Sequence, residues 1–173
     1  MDRAGPDVER GVTVTLEPPE RRMPDGQRHG AFTSLYEREL PVQVRRATLL
    51  CGSPETAHDL VHDAFVEVYR RWDGLADPAP YLATAVINRC RDHARRNAAR
   101  DRLLPLLVPR GDPEDEVLWD ALQALPFPHR AAIVLRFYHQ LPEQEIALLL
   151  DCRPGSVGPW IQRGLRTLRK ALT

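Results

Sequence analysis

Between Ser53 and Trp72 apolar residues return every three or four positions: Ala57, Leu60, Val61, Ala64, Phe65, Val68, Tyr69 and Trp72. That spacing follows the 3.6-residue period of a helix through four turns, and the stripe it makes is wide enough to demand partners. Ser53 stands where a hydroxyl caps a helix, Pro54 suits the first helical position, and Glu55 complements the positive end of the dipole. The opposite face carries His58, Asp59, His62, Asp63, Glu67, Arg70 and Arg71, acidic at its start and basic at its end. A chain built around such a helix must pack other helices on its apolar side.

The flanking segments supply them. Phe32, Leu35, Tyr36 and Leu40, then Val44, Ala47 and Leu50, repeat at helical spacing, with a break or kink expected at Pro41 and a stop at Gly52. After a loop holding Asp73, Gly74 and Asp77, a further helix is expected from near Tyr81, with Leu82, Ala85, Val86 and Cys90 inward. Four shorter helices follow, roughly 114–125, 128–139, 142–150 and 154–171. No alternating strand pattern appears, so the expected fold is all-α, two small helical domains joined by a linker. Residues 1–30, with Pro6, Pro18, Pro19, Pro24 and four glycines, read as a disordered tail. Residues 31–100 and 116–173 form the domains, and 101–115, with Pro105, Pro109, Gly111 and Pro113, the linker.

The formal net charge of zero conceals a strong asymmetry. From Val86 to Arg100 five arginines (Arg89, Arg91, Arg95, Arg96 and Arg100) face Asp92 alone. From Ala121 onward seven basic residues oppose Glu143, Glu145 and Asp151, while 101–120 holds six acids against Arg102 and Arg110. Two basic blocks around an acidic connector suit nucleic-acid contact on both domains. No apolar run is long enough to cross a bilayer, and no signal peptide is recognisable, so a cytoplasmic protein without membrane insertion is expected. Cys51, Cys90 and Cys152 make neither a disulfide framework nor a metal pattern.

Two constellations could carry function. A short helix ending near Leu150, a turn at Asp151-Cys152-Arg153 and a longer basic helix outline a helix-turn-helix. Ser156, Trp160, Arg163 and Arg166 would line its outer face, and Ile161, Leu165 and Leu168 its buried one. An ordinary helical hairpin with a solvated basic face has the same outline. His58 and His62 lie one turn apart like the histidines of a zinc helix. Asp59 stands where that motif has glutamate, and no third ligand is suggested nearby, so no metal or other cofactor is expected. No nucleophile motif or glycine-rich phosphate loop is present, which argues against an enzyme.

The segments themselves resemble a known family. Leu125-Pro126-Phe127 through Val134-Leu135-Arg136-Phe137-Tyr138, then Leu141 to Leu150 with Glu145-Ile146-Ala147, then Gly155-Ser156-Val157 with Arg163 and Leu168-Arg169, are similar to sigma region four. Asp59 to Trp72, with Tyr81-Leu82 through Asn88-Arg89-Cys90-Arg91-Asp92-His93-Ala94-Arg95-Arg96, resemble sigma region two. The order and spacing are similar to those of the extracytoplasmic-function RNA polymerase sigma factors, the actinobacterial SigE-like members among them.

That resemblance implies an alternative sigma factor that directs promoter recognition, DNA opening and initiation. Its partners would be core RNA polymerase (the beta-prime clamp and the beta flap) and promoter DNA, with an anti-sigma factor left open. Asp59, Asp63, Glu67 and Arg70 would meet the clamp. Tyr81, Asn88, Arg91, Arg95 and Arg96 would meet the minus-ten element, the loop 73–77 helping to hold a flipped base. Arg153, Ser156, Trp160, Arg163 and Arg166 would meet the minus-thirty-five element. Gly158 and Pro159 replace the family's usual lysine and serine, and Arg153 and Pro142 stand where serines often cap. The competing reading is a helix-turn-helix or sigma-like DNA-binding regulator that does not itself support initiation.

Overall fold

The structure, a computed structural model, describes residues 24–97 and 113–172. The expected tail before residue 24, Arg100 and most of the expected linker lie outside these residues. Among those described there are helices and no strand.

The first half is a three-helix bundle. Helix α1 spans Asp25–Cys51, α2 Pro54–Arg71 and α3 Pro78–Asn97, with a tight turn at Trp72–Gly74 between α2 and α3. The Ser53 hydroxyl accepts from the Thr56 amide, the N-cap that Pro54 and Glu55 then extend. Helix α1 ends on Gly52, whose φ of 82° places it in the left-handed region and lets its amide return to the Thr48 carbonyl. Ala57, Val61, Ala64, Phe65 and Val68 of α2 are buried against Leu35, Ala47 and Leu50 of α1 and Leu82, Val86 and Ile87 of α3. Each of the valine, leucine, isoleucine and phenylalanine side chains contributes about 1.5–3 kcal/mol by leaving water. An aromatic cluster closes the far end: Phe32 meets Tyr69 at 5.0 Å and Trp72 at 5.6 Å, and Tyr36 meets Phe65 at 4.7 Å.

Three boundaries differ from expectation. Helix α1 continues through Pro41 without a break. The ring is exposed, and buried residues on both sides of it, Leu35 before and Gln43, Arg46, Ala47 and Leu50 after, hold the helix against the lost hydrogen bond. The same helix begins at Asp25, so residues 25–30 of the expected tail are helical. Arg28 explains the extension: its guanidinium donates to the Tyr69 carbonyl at 2.6 Å, pairs with Asp73 at 3.3 Å and lies 4.6 Å over the Tyr69 ring. Helix α3 starts at Pro78 rather than Tyr81, because the Asp77 carboxylate accepts from the Ala79 amide as a cap.

The second half holds α4 (Pro113–Gln123), α5 (Phe127–Ile133), α6 (Glu143–Leu149) and α7 (Pro154–Ala171). Helix α5 widens into a π-helical turn at Val134–Tyr138, where the His139 amide bonds back to the Val134 carbonyl at 3.2 Å. Val157, Ile161, Gly164 and Leu168 form the buried face of α7. Leu165, expected on that face, is exposed. Gly164 takes its place because α5 passes so close that a Cβ there would lie 2.5 Å from Ile133 Cδ1.

The halves are not separate bodies. One apolar cluster runs from Leu35 in α1 to Ile161 in α7, and polar bridges cross the seam. Gln123 Nε2 donates to the Leu49 carbonyl at 3.0 Å, and Arg91 donates to the Leu150 carbonyl at 2.7 Å.

Candidate nucleic-acid interface

Burial of the α2 stripe turns its other face outward. His58, Asp59, His62, Asp63, Arg70 and Arg71 are exposed there, an acidic patch giving way to a basic one along a single helix. Glu67 differs. Its carboxylate accepts from the Tyr81 hydroxyl at 2.5 Å and pairs with Arg89 at 2.8 Å and Arg71 at 3.4 Å. The Tyr81 hydrogen bond, then the two guanidiniums, hold Glu67 below the usual carboxylate range, and the same bond raises the Tyr81 hydroxyl. Arg71 also stands 5.7 Å from the centre of the Tyr81 ring. Glu67 therefore joins the end of α2 to the start of α3 and orients the aromatic ring. The sequence did not suggest this pairing, because the partners are 14 residues apart on different helices.

Beside the ring, Arg70, Arg71, Asp73, Gly74 and Leu75 line a shallow cleft. Further along α3, Asn88 is exposed, and two turns later Arg95 and Arg96 are exposed as well, so cationic donors reach solvent at the end of the helix. Arg91 lies on the same helix but turns to the second half, on the Leu150 carbonyl. Arg89 reaches both Glu67 and the Asp63 carbonyl.

Helices α6 and α7 pack across a turn whose Asp151 has a φ of 49°. That geometry presents α7 outward. Arg153, Arg163 and Arg166 are exposed, Ser156 and Trp160 half-buried, and Trp160 packs against the core as well as facing out. Arg153 occupies the N-cap position of α7 without a side-chain cap bond, and the Ser156 amide returns to the Arg153 carbonyl at 2.9 Å. Gly158 sits against Glu143, where a Cβ would lie 3.4 Å from the carboxylate. His58 and His62 are exposed on α2, and no group of three metal-ligating side chains occurs among the described residues.

A three-helix bundle with a basic last helix, followed by a helix-turn-helix with a basic second helix, matches two family descriptions in order. Sigma-70 region 2 covers residues 35–100, and Sigma-70, region 4 covers residues 115–168. An RNA polymerase sigma-E factor of Streptomyces avermitilis is 32% identical over 141 residues, covering 75% of this chain and 78% of that one. The chain belongs to the extracytoplasmic-function sigma factors. Another RNA polymerase sigma-E factor, from Streptomyces antibioticus, is 31% identical over 71% of this sigma factor and 74% of the relative. Among solved structures, CnrH in complex with the cytosolic domain of CnrY shares 27% identity at a TM-score of 0.62, over 85% of this sigma factor and 93% of that chain. The sigma factor RpoE from Bartonella quintana, in complex with the anti-sigma factor NepR, shares the fold at 21% identity and a TM-score of 0.65, covering 82% of this chain and 96% of that one. This sigma factor thus serves transcription initiation as an alternative sigma factor.

Proposed function

We propose that the two halves divide promoter recognition between them. Residues 31–100 bind the beta-prime clamp of core RNA polymerase and the minus-ten element. Residues 116–173 bind the beta flap and the minus-thirty-five element, and 101–115 joins them. The observation that carries this reading is the two-sidedness of α2 and α3. Their apolar sides are consumed by the bundle, which leaves Asp59, Asp63 and Arg70 exposed on one helix and Asn88, Arg95 and Arg96 on the other.

Charged residues on the exposed side of α2 suit a polar, steered encounter with the clamp. Glu67 takes a positioning role, holding Tyr81 toward the cleft beside the 73–75 turn, where an unstacked base would find a π-face and cationic walls. The arginines of α3 grip phosphates and make binding salt-dependent. Arg163 and Arg166 of α7 reach bases or phosphates in the major groove, with Arg153, Ser156 and Trp160 at its entry. The chain contributes binding, and the polymerase contributes the chemistry. It works in the cytoplasm, where core polymerase and promoter DNA are. No helix among the described residues is long and apolar enough to cross a membrane.

In vitro transcription with purified core enzyme tests the division of labour. Arg95→Ala/Arg96→Ala should nearly abolish open-complex formation on a cognate promoter, while Arg163→Ala should cost about 1–3 kcal/mol of promoter affinity. A chain that binds promoter DNA but neither assembles with core nor starts transcripts would instead be a helix-turn-helix regulator. Greater damage from Arg163→Ala than from the α3 double variant would reverse the ranking of the two elements.

A further inference from the structure

The first turns of α1 precede the stretch that matches Sigma-70 region 2, which begins at residue 35, yet they reach the turn that lines the cleft beside Tyr81. Arg28 makes the connection. One of its guanidinium nitrogens donates to the Tyr69 carbonyl at 2.6 Å, and the other pairs with Asp73 at 3.3 Å. The group also lies 4.6 Å from the centre of the Tyr69 ring. The Tyr69 carbonyl accepts the Trp72 amide as well, and the Trp72 carbonyl accepts the Leu75 amide at 3.2 Å, so Arg28 is fastened to the first link of the turn. A cation at this end of α2 opposes the negative pole of the helix. The Arg28 side chain is 13% exposed and that of Asp73 29%, so salt screens the pair less than it would an open surface pair. Aromatic contacts brace the same junction: Phe32, one turn on, meets Tyr69 and Trp72 edge-on.

Asp73 lines the cleft together with Arg70, Arg71, Gly74 and Leu75. A carboxylate there opposes the phosphates on either side of an unstacked base, and like charges brought together cost affinity. Arg28 balances that charge and holds the carboxylate to α1. Glu67 fixes the Tyr81 ring beside the cleft, and Arg28 fixes the turn that lines it. A site held from both sides before DNA arrives spends less affinity on ordering itself.

We propose that Arg28 is a positioning residue for minus-ten recognition: it ties the 73–75 turn to α1 and neutralises Asp73, so that the cleft receives an unstacked base in a fixed and electrically balanced site. The inference rests on the function proposed above. Arg28 itself touches no base; it acts through Asp73 and the Tyr69 carbonyl.

The test uses holoenzyme reconstituted from the full chain and core RNA polymerase. Its probes are fork-junction DNAs that the wild-type holoenzyme selects from a pool randomised across the minus-ten element, each remade with an abasic site at one position in turn. In the wild type, removing the base that enters the cleft should cost about tenfold in affinity, the size of one lost stacking contact. Arg28→Ala should weaken binding of the intact probe about three- to tenfold and shrink that one abasic penalty below about twofold, with the penalties at other positions and the affinity for core unchanged. Adding Asp73→Asn to Arg28→Ala should raise affinity at least about threefold more than Asp73→Asn does in the wild type, a rescue that a merely structural contact would not show. Arg28→Gln keeps a donor for the Tyr69 carbonyl and loses the charge, so it carries the same comparison should Arg28→Ala unsettle the fold. Abasic penalties equal to the wild type's in both variants, or no Asp73-dependent rescue in either, would overturn the proposal and leave the sigma function standing. A wild-type chain that does not assemble with core would remove the proposed function, and the positioning role with it.

Discussion

Gly164→Ala isolates the packing that seats the recognition helix. The added methyl would lie 2.5 Å from Ile133 Cδ1 and 3.4 Å from His129 Cβ, so Ile133 must turn or α7 must move away from α5. Overpacking of this kind costs about 1–3 kcal/mol. The offending atom ends a side chain, which places the cost toward the lower part of that range. Against it stands about 1 kcal/mol from replacing glycine by alanine within a helix. The expected net is a loss of at most about 0.5 kcal/mol. Ile133→Val removes Cδ1 and alone costs about 1 kcal/mol, but it leaves room for the methyl. In that background Gly164→Ala should stabilise by about 0.5–1 kcal/mol. The sign therefore reverses between backgrounds. Urea unfolding of the four proteins measures the cycle, and filter binding to minus-thirty-five duplex shows whether a displaced α7 also reads DNA less well. If the effect of Gly164→Ala is equal in both backgrounds within about 0.3–0.5 kcal/mol, the α5–α7 contact does not have the closeness argued for it.

Two other outcomes follow from contacts between distant residues. His139 is pulled down to about 4, by burial first and then by Arg46 and Arg45 of α1. A histidine that protonates more readily when released makes the folded packing fully stable above pH 6.5 and progressively weaker as pH falls toward 4. Urea unfolding at pH 6.5 and pH 4.5 should show a loss of stability in the wild type that is smaller in His139→Gln; equal losses would show that the buried His139 beside Arg46 does not carry the pH dependence. Truncation to Gly30 deletes Arg28 and should cost about 1.5–3 kcal/mol relative to a chain beginning at Asp25, since a charged donor to the Tyr69 carbonyl is lost. Equal melting of the two truncations would show that the first turn of α1 is dispensable.

Much of the fold was legible because it depends on short stretches of chain. The Ser53 cap, the α2 stripe and the limits of α7 at Pro154 and Ala171 follow from local propensity and period, each read within a few turns. The basic blocks and the helix-turn-helix outline were legible for the same reason. Local rules failed where a partner from elsewhere changed the balance. Pro41 should break α1 by its own chemistry, yet buried neighbours on both sides carry the helix through it. Leu165 fits an apolar stripe as well as Gly164 does, until the approach of Ile133 leaves no room for a side chain. Glu67 reads as a surface carboxylate until α3 brings Tyr81 and Arg89 to it. By itself the sequence determined which segments are helical, which faces are apolar and where the arginines collect, because those properties are written in neighbouring residues. Only the tertiary structure decided that Arg91 meets Leu150 and Gln123 meets Leu49, 59 and 74 residues away, because such pairs depend on how whole helices dock and leave no period in the chain.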